Sequence, residues 1–441
     1  MVRIQLPRKA EDIIEKIQAA GYEAYAVGGC IRDSILGKEP DDWDITTSAK
    51  PEEVKMLFDR TIDTGIQHGT VTVMIGKEGF EITTYRIDGK YEDSRHPKDV
   101  TFTSNLKEDL RRRDFTINAM AYNSKDGLID LYEGVQDMKQ GLIRCVGDAE
   151  ERFTEDALRM MRAVRFSAQL GYAIEENTKK AIRKLAPTIQ NISAERIRTE
   201  LVKLMTSAHP DFFRIAYETG ITAQVFPEFD ICMETEQNNP HHCYSVGEHI
   251  LHTLSYVESD KVLRLAMLFH DIGKPRTLTI DEEGITHNHG HAAVGEELTV
   301  RILKRLKFDN DTIDKVKKLV RYHDRKIETN AKSVRRAVSD MGEDIFPLLF
   351  SVKYADIMAQ SEYQRDEKLS ELETLKSIYG RIIEEKNCLS LKDLAVTGGD
   401  LIAAGMKPGR EIGTALHKLL EAVLEEPEHN QKEYLLSLLQ L

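Results

Sequence analysis

The sequence predicts an α+β fold, with a mixed α/β head followed by an all-helical remainder. Three observations lead to it. Short strand-like runs interleave with helical stretches from about residue 10 to 145. Strand signals fade after Asp148, where Ala157, Met160, Met161, Val164 and Ala168 recur at helical spacing. The chain has 441 residues, 41% hydrophobic and 31% charged, enough for several folded domains.

The strand-like runs fall at residues 23–27, 70–75, 80–85 and 128–131, and a further helical pattern covers 193–205. Joints are expected at Gly147-Asp148, in the polar segment 234–242 with Asn238, Asn239 and Pro240, and at 384–390. The expected segments are a head over 1–147, a helical neck over 148–236, a histidine-rich helical domain over 237–384 and a helical tail over 385–441.

No run of about 18 apolar residues occurs, and the first ten residues mix Arg and Lys with too few apolar residues for a secretory signal, so a cytoplasmic protein is expected. Cys30, Cys145, Cys232, Cys243 and Cys388 have no paired spacing, which speaks against a disulfide framework or a thiolate zinc site. The net charge of −13 disfavours nucleic-acid binding in bulk. Locally the balance reverses, with basic residues at 107–113, at Arg159, Arg162 and Arg165, and over 315–336, while acids crowd 384–428.

Four groups in the first half carry chemistry. Gly28-Gly29-Cys30-Ile31-Arg32-Asp33 follows a strand and opens a helix, a setting in which backbone amides can approach a phosphate. Asp42 and Asp44 are two residues apart, so an extended chain points both carboxylates to one face, as hard oxygen ligands for Mg²⁺. Glu81 alternates against Phe80 and Ile82 and offers a third carboxylate, and such a triad can hold metal and activate a hydroxyl. Arg111, Arg112 and Arg113 precede Asp114 and Asn118 and can clamp a triphosphate. Beyond them, Asp156 and Arg159 at i, i+3 are expected on one helix face, an acceptor beside a donor fork that can match a base edge.

The runs GGCIRD, DDWDI, FEITTYRIDGKYEDSRHP, RRRDFTINAM and EDALRMMRAVRF, in this order, resemble the bacterial class II tRNA nucleotidyltransferase family and its poly(A) polymerase relatives. The resemblance covers the first half of the chain. It implies a polymerase-β-like head with catalytic Asp42, Asp44 and Glu81, of which Asp42 and Asp44 hold Mg²⁺. It also implies nucleotide binding by Gly29, Arg32, Arg113, Asp156, Arg159, Arg162 and Arg165, with Asp156 and Arg159 selecting C and A. The partners implied are tRNA, CTP and ATP. Family members that add only CC lack a flexible loop, and residues 88–97 here (DGKYEDSRHP) match it, favouring CCA or terminal A addition. A looser match, Asp130, Gly134, Asp137 and Arg144, carries no assigned role.

In the second half, His249, His270-Asp271, His291, His323 and Asp356 form an ordered set that resembles the HD-domain metal phosphohydrolases. The resemblance implies one divalent metal on His249, His270, Asp271 and Asp356, and a second on His291 and His323 with Asp271 bridging. Lys274 would contact phosphate. An isolated histidine is more often structural than a ligand, and His241, His242, His252, His287 and His289 are read so. Residues 397–413 resemble the family's C-terminal body, with glycines and a proline that serve equally as caps and turns.

The leading reading is addition of CCA, or its terminal A, to tRNA 3′ ends. Poly(A) addition uses nearly the same motifs. From another class, the chain would be an HD phosphohydrolase whose head only binds RNA, or an RNA-binding scaffold. The intact Asp42, Asp44 and Glu81 argue against the former, and the acidic charge balance against the latter.

Overall fold

β1 (Ala24–Val27) is fully buried, as the run Ala-Tyr-Ala-Val requires of a central strand, and it organises the first half of the molecule. The computed structural model describes residues 3–89 and 100–439; part of the 88–97 loop therefore lies outside the described residues. β2 (Ile45–Thr47), β3 (Thr61–Gly65), β4 (Thr70–Ile75), β5 (Glu78–Thr84), β8 (Met120–Asn123) and β9 (Gly127–Asp130) join β1 in a seven-stranded sheet, ordered β3-β4-β5-β2-β1-β8-β9. A separate ribbon pairs β6 (Arg86–Asp88) with β7 (Val100–Phe102). The four strand-like runs read from the sequence coincide with β1, β4, β5 and β9 to within one or two residues.

One pairing in the sheet is parallel, β2 against β5, with Ile45 opposite Ile82; the others are antiparallel. Tyr25, Val27, Tyr85, Leu106, Leu110 and Ala121 form a core on one face of the sheet. There α2 (Leu106–Arg111) is capped by Asn105, whose side chain accepts from the Lys107 amide. α1 (Gly29–Ile35) opens directly after β1.

Strands give way to α3 (Ala149–Glu155), α4 (Leu158–Leu170) and α5 (Ala194–Met205), as expected. α4 is buried almost throughout, including Arg159 and Arg165, so it is not a one-sided amphipathic helix.

The chain divides into two compact units, Met1–Pro227 and Glu228–Leu441. The first holds the head and the neck as far as residue 227, so the division falls ahead of the boundary expected at 236. The second is mainly helical, and its functional side chains sit on α6 (Val246–Leu254), α7 (Lys261–Phe269), α8 (His291–Arg305), α9 (Asn310–Tyr322) and α10 (Phe346–Ala359), or at their ends. All five cysteines are free. Among the described residues no helix is long and apolar enough to cross a membrane.

Candidate active site and metal centre

The parallel register of β2 and β5 builds the acidic part of the head. Because Ile45 pairs with Ile82, the residues before them, Asp44 and Glu81, come side by side on adjacent chains. Ile45 and Ile82 point into the core and Glu81 is exposed, as the two-residue alternation requires. Asp42 and Asp44 lie ahead of β2, in a lead-in anchored where the Val27 amide donates to the Asp44 carbonyl at 2.9 Å. The strand expected to carry them thus begins one residue later, at Ile45.

Asp44 retains solvent access, yet partial burial of the carboxyl and then the Asp42 charge raise its pKa to about 6. Arg113 opposes that rise and Glu81 adds to it. Negative charge among three hard-oxygen carboxylates, only partly offset by Arg113, fits a divalent cation such as Mg²⁺. The raised pKa disfavours the ionised form of Asp44 in the folded chain, so it costs stability above the unfolded carboxylate pKa of about 3.9. A cation relieves that cost and competes with the proton. The affinity of this cluster for a divalent cation should therefore weaken as pH falls through about 6. Mg²⁺ binding titrations between pH 5 and 8, by calorimetry, check this; a midpoint independent of pH would overturn it.

Beside the carboxylates lies a cluster of arginines. Gly28, with φ of 87°, takes the left-handed conformation that glycine permits, and a Cβ there would come within 2.8 Å of Arg113 Nη1. The Gly-Gly turn thus makes room for an arginine fork. The buried Asp109 carboxylate receives the Thr46 hydroxyl at 3.0 Å, Arg112 Nε at 2.9 Å and, more loosely, Arg113 Nη2 at 3.9 Å. Burial pushes the Arg113 pKa down, and its buried Nε has no hydrogen-bond partner among the described residues. A buried donor without a partner suits an incoming phosphate oxygen.

Arg32 chelates Asp33, Nε to Oδ1 at 2.9 Å and Nη2 to Oδ2 at 2.8 Å, and its Nη1 reaches Asn118 Oδ1 at 2.6 Å. Asn118 donates to Asp114 at 3.1 Å, and Arg162 binds the other Asp114 oxygen at 2.6 Å. Burial alone would raise the Asp114 pKa, but Arg162 and Asn118 bring it down to about 2. The guanidinium carbons of Arg165, Arg32 and Arg162 lie 4.0, 5.1 and 5.3 Å from the centre of the Phe166 ring, a cation–π arrangement that gathers three of the expected arginines. Arg165 also makes a buried ion pair with Glu200, at 2.6 Å. Asp114, Asn118 and Phe166 were not legible as site residues, although they lie within the motifs.

Asp130, Asp137 and Arg144 brace this region. Asp130 accepts from the Gly134 and Val135 amides at 2.8 and 2.9 Å, and Asp137 accepts from Thr116 at 2.7 Å and Arg144 at 3.1 Å. They hold the turn before Asn118.

Asp156 and Arg159 are not on one helix face. Asp156, at φ −139° and ψ 103°, breaks the chain between α3 and α4. Its Oδ1 accepts from the Leu158 amide at 3.0 Å and its Oδ2 from Arg196 Nη2 at 2.8 Å. Arg159 is buried and donates to Glu155 at 2.6 Å, the Arg152 carbonyl at 3.1 Å and the Arg112 carbonyl at 2.9 Å. The continuous-helix pattern misses the break because Asp, which prefers caps to helix interiors, caps α4 instead.

In the second unit His249, His270, Asp271, His291, His323 and Asp356 converge. His270 and His323 terminate α7 and α9, His291 opens α8, and His249 and Asp356 lie on α6 and α10. The Nδ1 atoms of His270, His291 and His323 face the carbonyls of Met267, Asn288 and Val320 at 2.7, 2.8 and 2.7 Å. A carbonyl only accepts, so each Nδ1 carries a proton, and in the neutral form of each ring the Nε2 lone pair faces inward. His270 and His249 Nε2 are 3.2 Å apart, and His291 and His323 Nε2 3.1 Å apart. Such facing lone pairs suit a shared cation.

Asp271 lies between the pairs, 3.5 Å from His249, 3.3 Å from His270, 3.5 Å from His291 and 3.6 Å from His323. Asp356 is 3.0 Å from His249 Nε2. Two possible ligand groups result, His249 with His270 and Asp271, and Asp271 with His291 and His323. Gly273 lets the turn approach α8, for a Cβ there would overlap the His291 carbonyl. Lys274 pairs with Asp271 at 2.7 Å and donates to Gln237 at 2.9 Å.

The centre opens into a cavity of about 810 Å³ lined by Lys274, His242, Arg325, Lys326, Lys368 and apolar Leu372, among others. His242, expected to be merely structural, borders Lys274 at 3.4 Å, and burial followed by the Lys274 charge lowers its pKa to about 3. His287 is tied to Asp281 at 2.6 Å.

Three family models match: "Poly A polymerase head domain" over residues 24–144, "Probable RNA and SrmB- binding site of polymerase A" over 171–233, and "tRNA nucleotidyltransferase domain 2 putative" over 281–439. The CCA-adding enzyme of Leuconostoc mesenteroides is 39% identical over 433 residues, 95% of this chain and 93% of that enzyme. That of Lactiplantibacillus plantarum is 56% identical over 213 residues, 48% of this chain and 52% of that enzyme. The crystal structure of the Bacillus stearothermophilus CCA-adding enzyme in complex with CTP superposes with a TM-score of 0.75 at 29% identity, covering 99% of this chain and 98% of that one.

Proposed function

The chain belongs to the CCA-adding enzyme family, and on that footing we propose that it transfers CMP and AMP from CTP and ATP to the 3′ end of tRNA, in the cytoplasm. The observation that carries this reading is the carboxylate cluster of Asp42, Asp44 and Glu81, whose negative charge Arg113 only partly offsets at Asp44. Asp42 and Asp44 would hold Mg²⁺, which when bound neutralises charge developing on the phosphate and favours ionisation of the attacking hydroxyl. The 3′-oxygen bonds to the α-phosphorus as the bond to the bridging oxygen of the β-phosphate breaks, and pyrophosphate departs with that electron pair. Glu81, brought beside Asp44 by the β2–β5 register, would help take up the hydroxyl proton.

Arg32, Arg113 and Arg162 bind the triphosphate, Gly29 leaves room for it, and Arg165 braces the cluster through Phe166. Asp156 and Arg159 select the base. Cytosine and adenine both offer an exocyclic amino donor, which a carboxylate accepts, whereas uracil and guanine present a carbonyl at that position and are rejected. Reading by Arg159 requires its fork to leave Glu155 and the Arg152 and Arg112 carbonyls. Three tRNA transcripts, ending before CCA, after CC and after CCA, test the reading when incubated with Mg²⁺, CTP and ATP and resolved at single-nucleotide length. Three additions to the first transcript, needing both nucleotides, are expected. Long A tails would make it a poly(A) polymerase, and addition only after CC an A-adding enzyme.

The inward-facing imidazoles around Asp271 favour a second reading for the other unit, a divalent-metal phosphohydrolase of HD type. His249, His270, Asp271 and Asp356 would hold one metal and Asp271, His291 and His323 another, supplying a Lewis acid for hydrolysis of a phosphomonoester or cyclic phosphate. Lys274 would contact the phosphate.

A further inference from the structure

Asp156 lies outside regular structure, and its orientation depends on what its carboxylate touches. The residue falls in the break between α3 and α4. Each carboxylate oxygen has one donor: the Leu158 amide on Oδ1 at 3.0 Å and Arg196 Nη2 on Oδ2 at 2.8 Å. The first contact is a local cap. The second reaches across 40 residues, from the first turn of α5, a helix that packs along α4. Two donors on two oxygens stop the carboxyl group from rotating, while an ionised carboxylate keeps about four acceptor positions, so capacity remains for a base amino group.

Arg159, the residue spaced to accompany Asp156, is committed elsewhere in this state. The arginine that touches Asp156 is Arg196, and its buried Nη1 has no hydrogen-bond partner among the described residues. A guanidinium whose inner donor is unspent is costly to bury for stability alone.

We infer that Arg196 is the positioning residue that fixes the plane of the Asp156 carboxylate for base selection; this rests on the reading that Asp156 selects the base. Discrimination between an amino group and a carbonyl needs the acceptor lone pair held in the base plane. A carboxylate free to rotate would turn away from the uracil or guanine carbonyl instead of repelling it. Loss of Arg196 should therefore relax selectivity more than it slows the correct reaction.

The experiment is measurement of kcat/KM for CTP, ATP, UTP and GTP on the tRNA transcripts above, for the full chain and for Arg196→Ala, Arg196→Lys and Asp156→Asn. Arg196→Ala should lower the CTP-over-UTP and ATP-over-GTP ratios about tenfold or more, and Arg196→Lys, which keeps the charge without the planar fork, should restore only part of the loss. An equal decline for all four nucleotides with unchanged ratios would overturn the inference. Should Arg196→Ala not fold, judged by thermal unfolding, the lysine variant carries the same comparison of ratios. If Asp156→Asn alters the ratios and neither Arg196 variant does, this inference fails alone. If Asp156→Asn also leaves them unchanged, the base-selection reading fails with it.

Discussion

Asp44→Asn should lower the rate of nucleotide addition on the order of 10³-fold at saturating nucleotide, leaving the fold intact. The substitution keeps the side-chain volume and removes the charge that Asp42 and Glu81 crowd. A metal ion contributes several kcal/mol of transition-state stabilisation, and each 1.36 kcal/mol is a factor of ten. Removing a raised-pKa carboxylate also relieves repulsion, so the thermal midpoint without metal should hold or rise. Single-turnover extension of the CC-ended transcript provides the measurement, with any phosphohydrolase activity as an internal control expected to persist. A rate within tenfold of the parent would remove Asp44 from the catalytic role.

The second large effect concerns Asp271. Four imidazole Nε2 atoms and the Lys274 ammonium lie within 3.6 Å of its carboxylate. Burial would raise the Asp271 pKa, but His270 and Lys274 hold it well below the usual range, so it is ionised at neutral pH. Asp271→Asn takes the central charge from both ligand groups and leaves Lys274 buried without its partner, a loss of about 3–5 kcal/mol where no metal compensates. On the proposed metal-phosphohydrolase reading, metal bound after exhaustive dialysis, counted by elemental analysis, should fall to a small fraction of the parent value, and any phosphatase activity should vanish while CCA addition continues. Asp271→Asn/Lys274→Met removes the unpaired ammonium and should recover stability without recovering metal. Full metal content in Asp271→Asn would refute the centre.

Much of both sites could be read from residue order because their chemistry depends on short spacings. Asp42 and Asp44 are set by the period of extended chain, Glu81 by alternation with Phe80 and Ile82, and His270-Asp271 by adjacency at a helix end. What escaped reading depends on contacts between distant segments. Asp114 meets Arg162 across 48 residues, Arg32 meets Asn118 across 86, and Asp156 meets Arg196 across 40. No local periodicity encodes such pairings. The helix face expected to be shared by Asp156 and Arg159 is absent for a related reason: helical spacing survives the two-residue break at 156–157, while the direction of the side chains does not. His242 resembles any surface histidine until the fold brings Lys274 beside it.

The parallel pairing of β2 with β5 also bears on how the head is made. Thr46 and Thr83, neighbours in that pairing, are 37 residues apart, and the register that joins them is the one that aligns Asp44 with Glu81. Because side chains alternate, a slip of one residue would turn Glu81 into the core and Ile82 outward. During synthesis the three-carboxylate cluster cannot form until β5 has left the ribosome and docked, and an incorrectly threaded sheet carries only the Asp42–Asp44 pair without Glu81. Catalytic competence in the head is thus a readout of correct strand threading, and misthreaded chains should be recognisable as protein with strand content but no Mg²⁺ response.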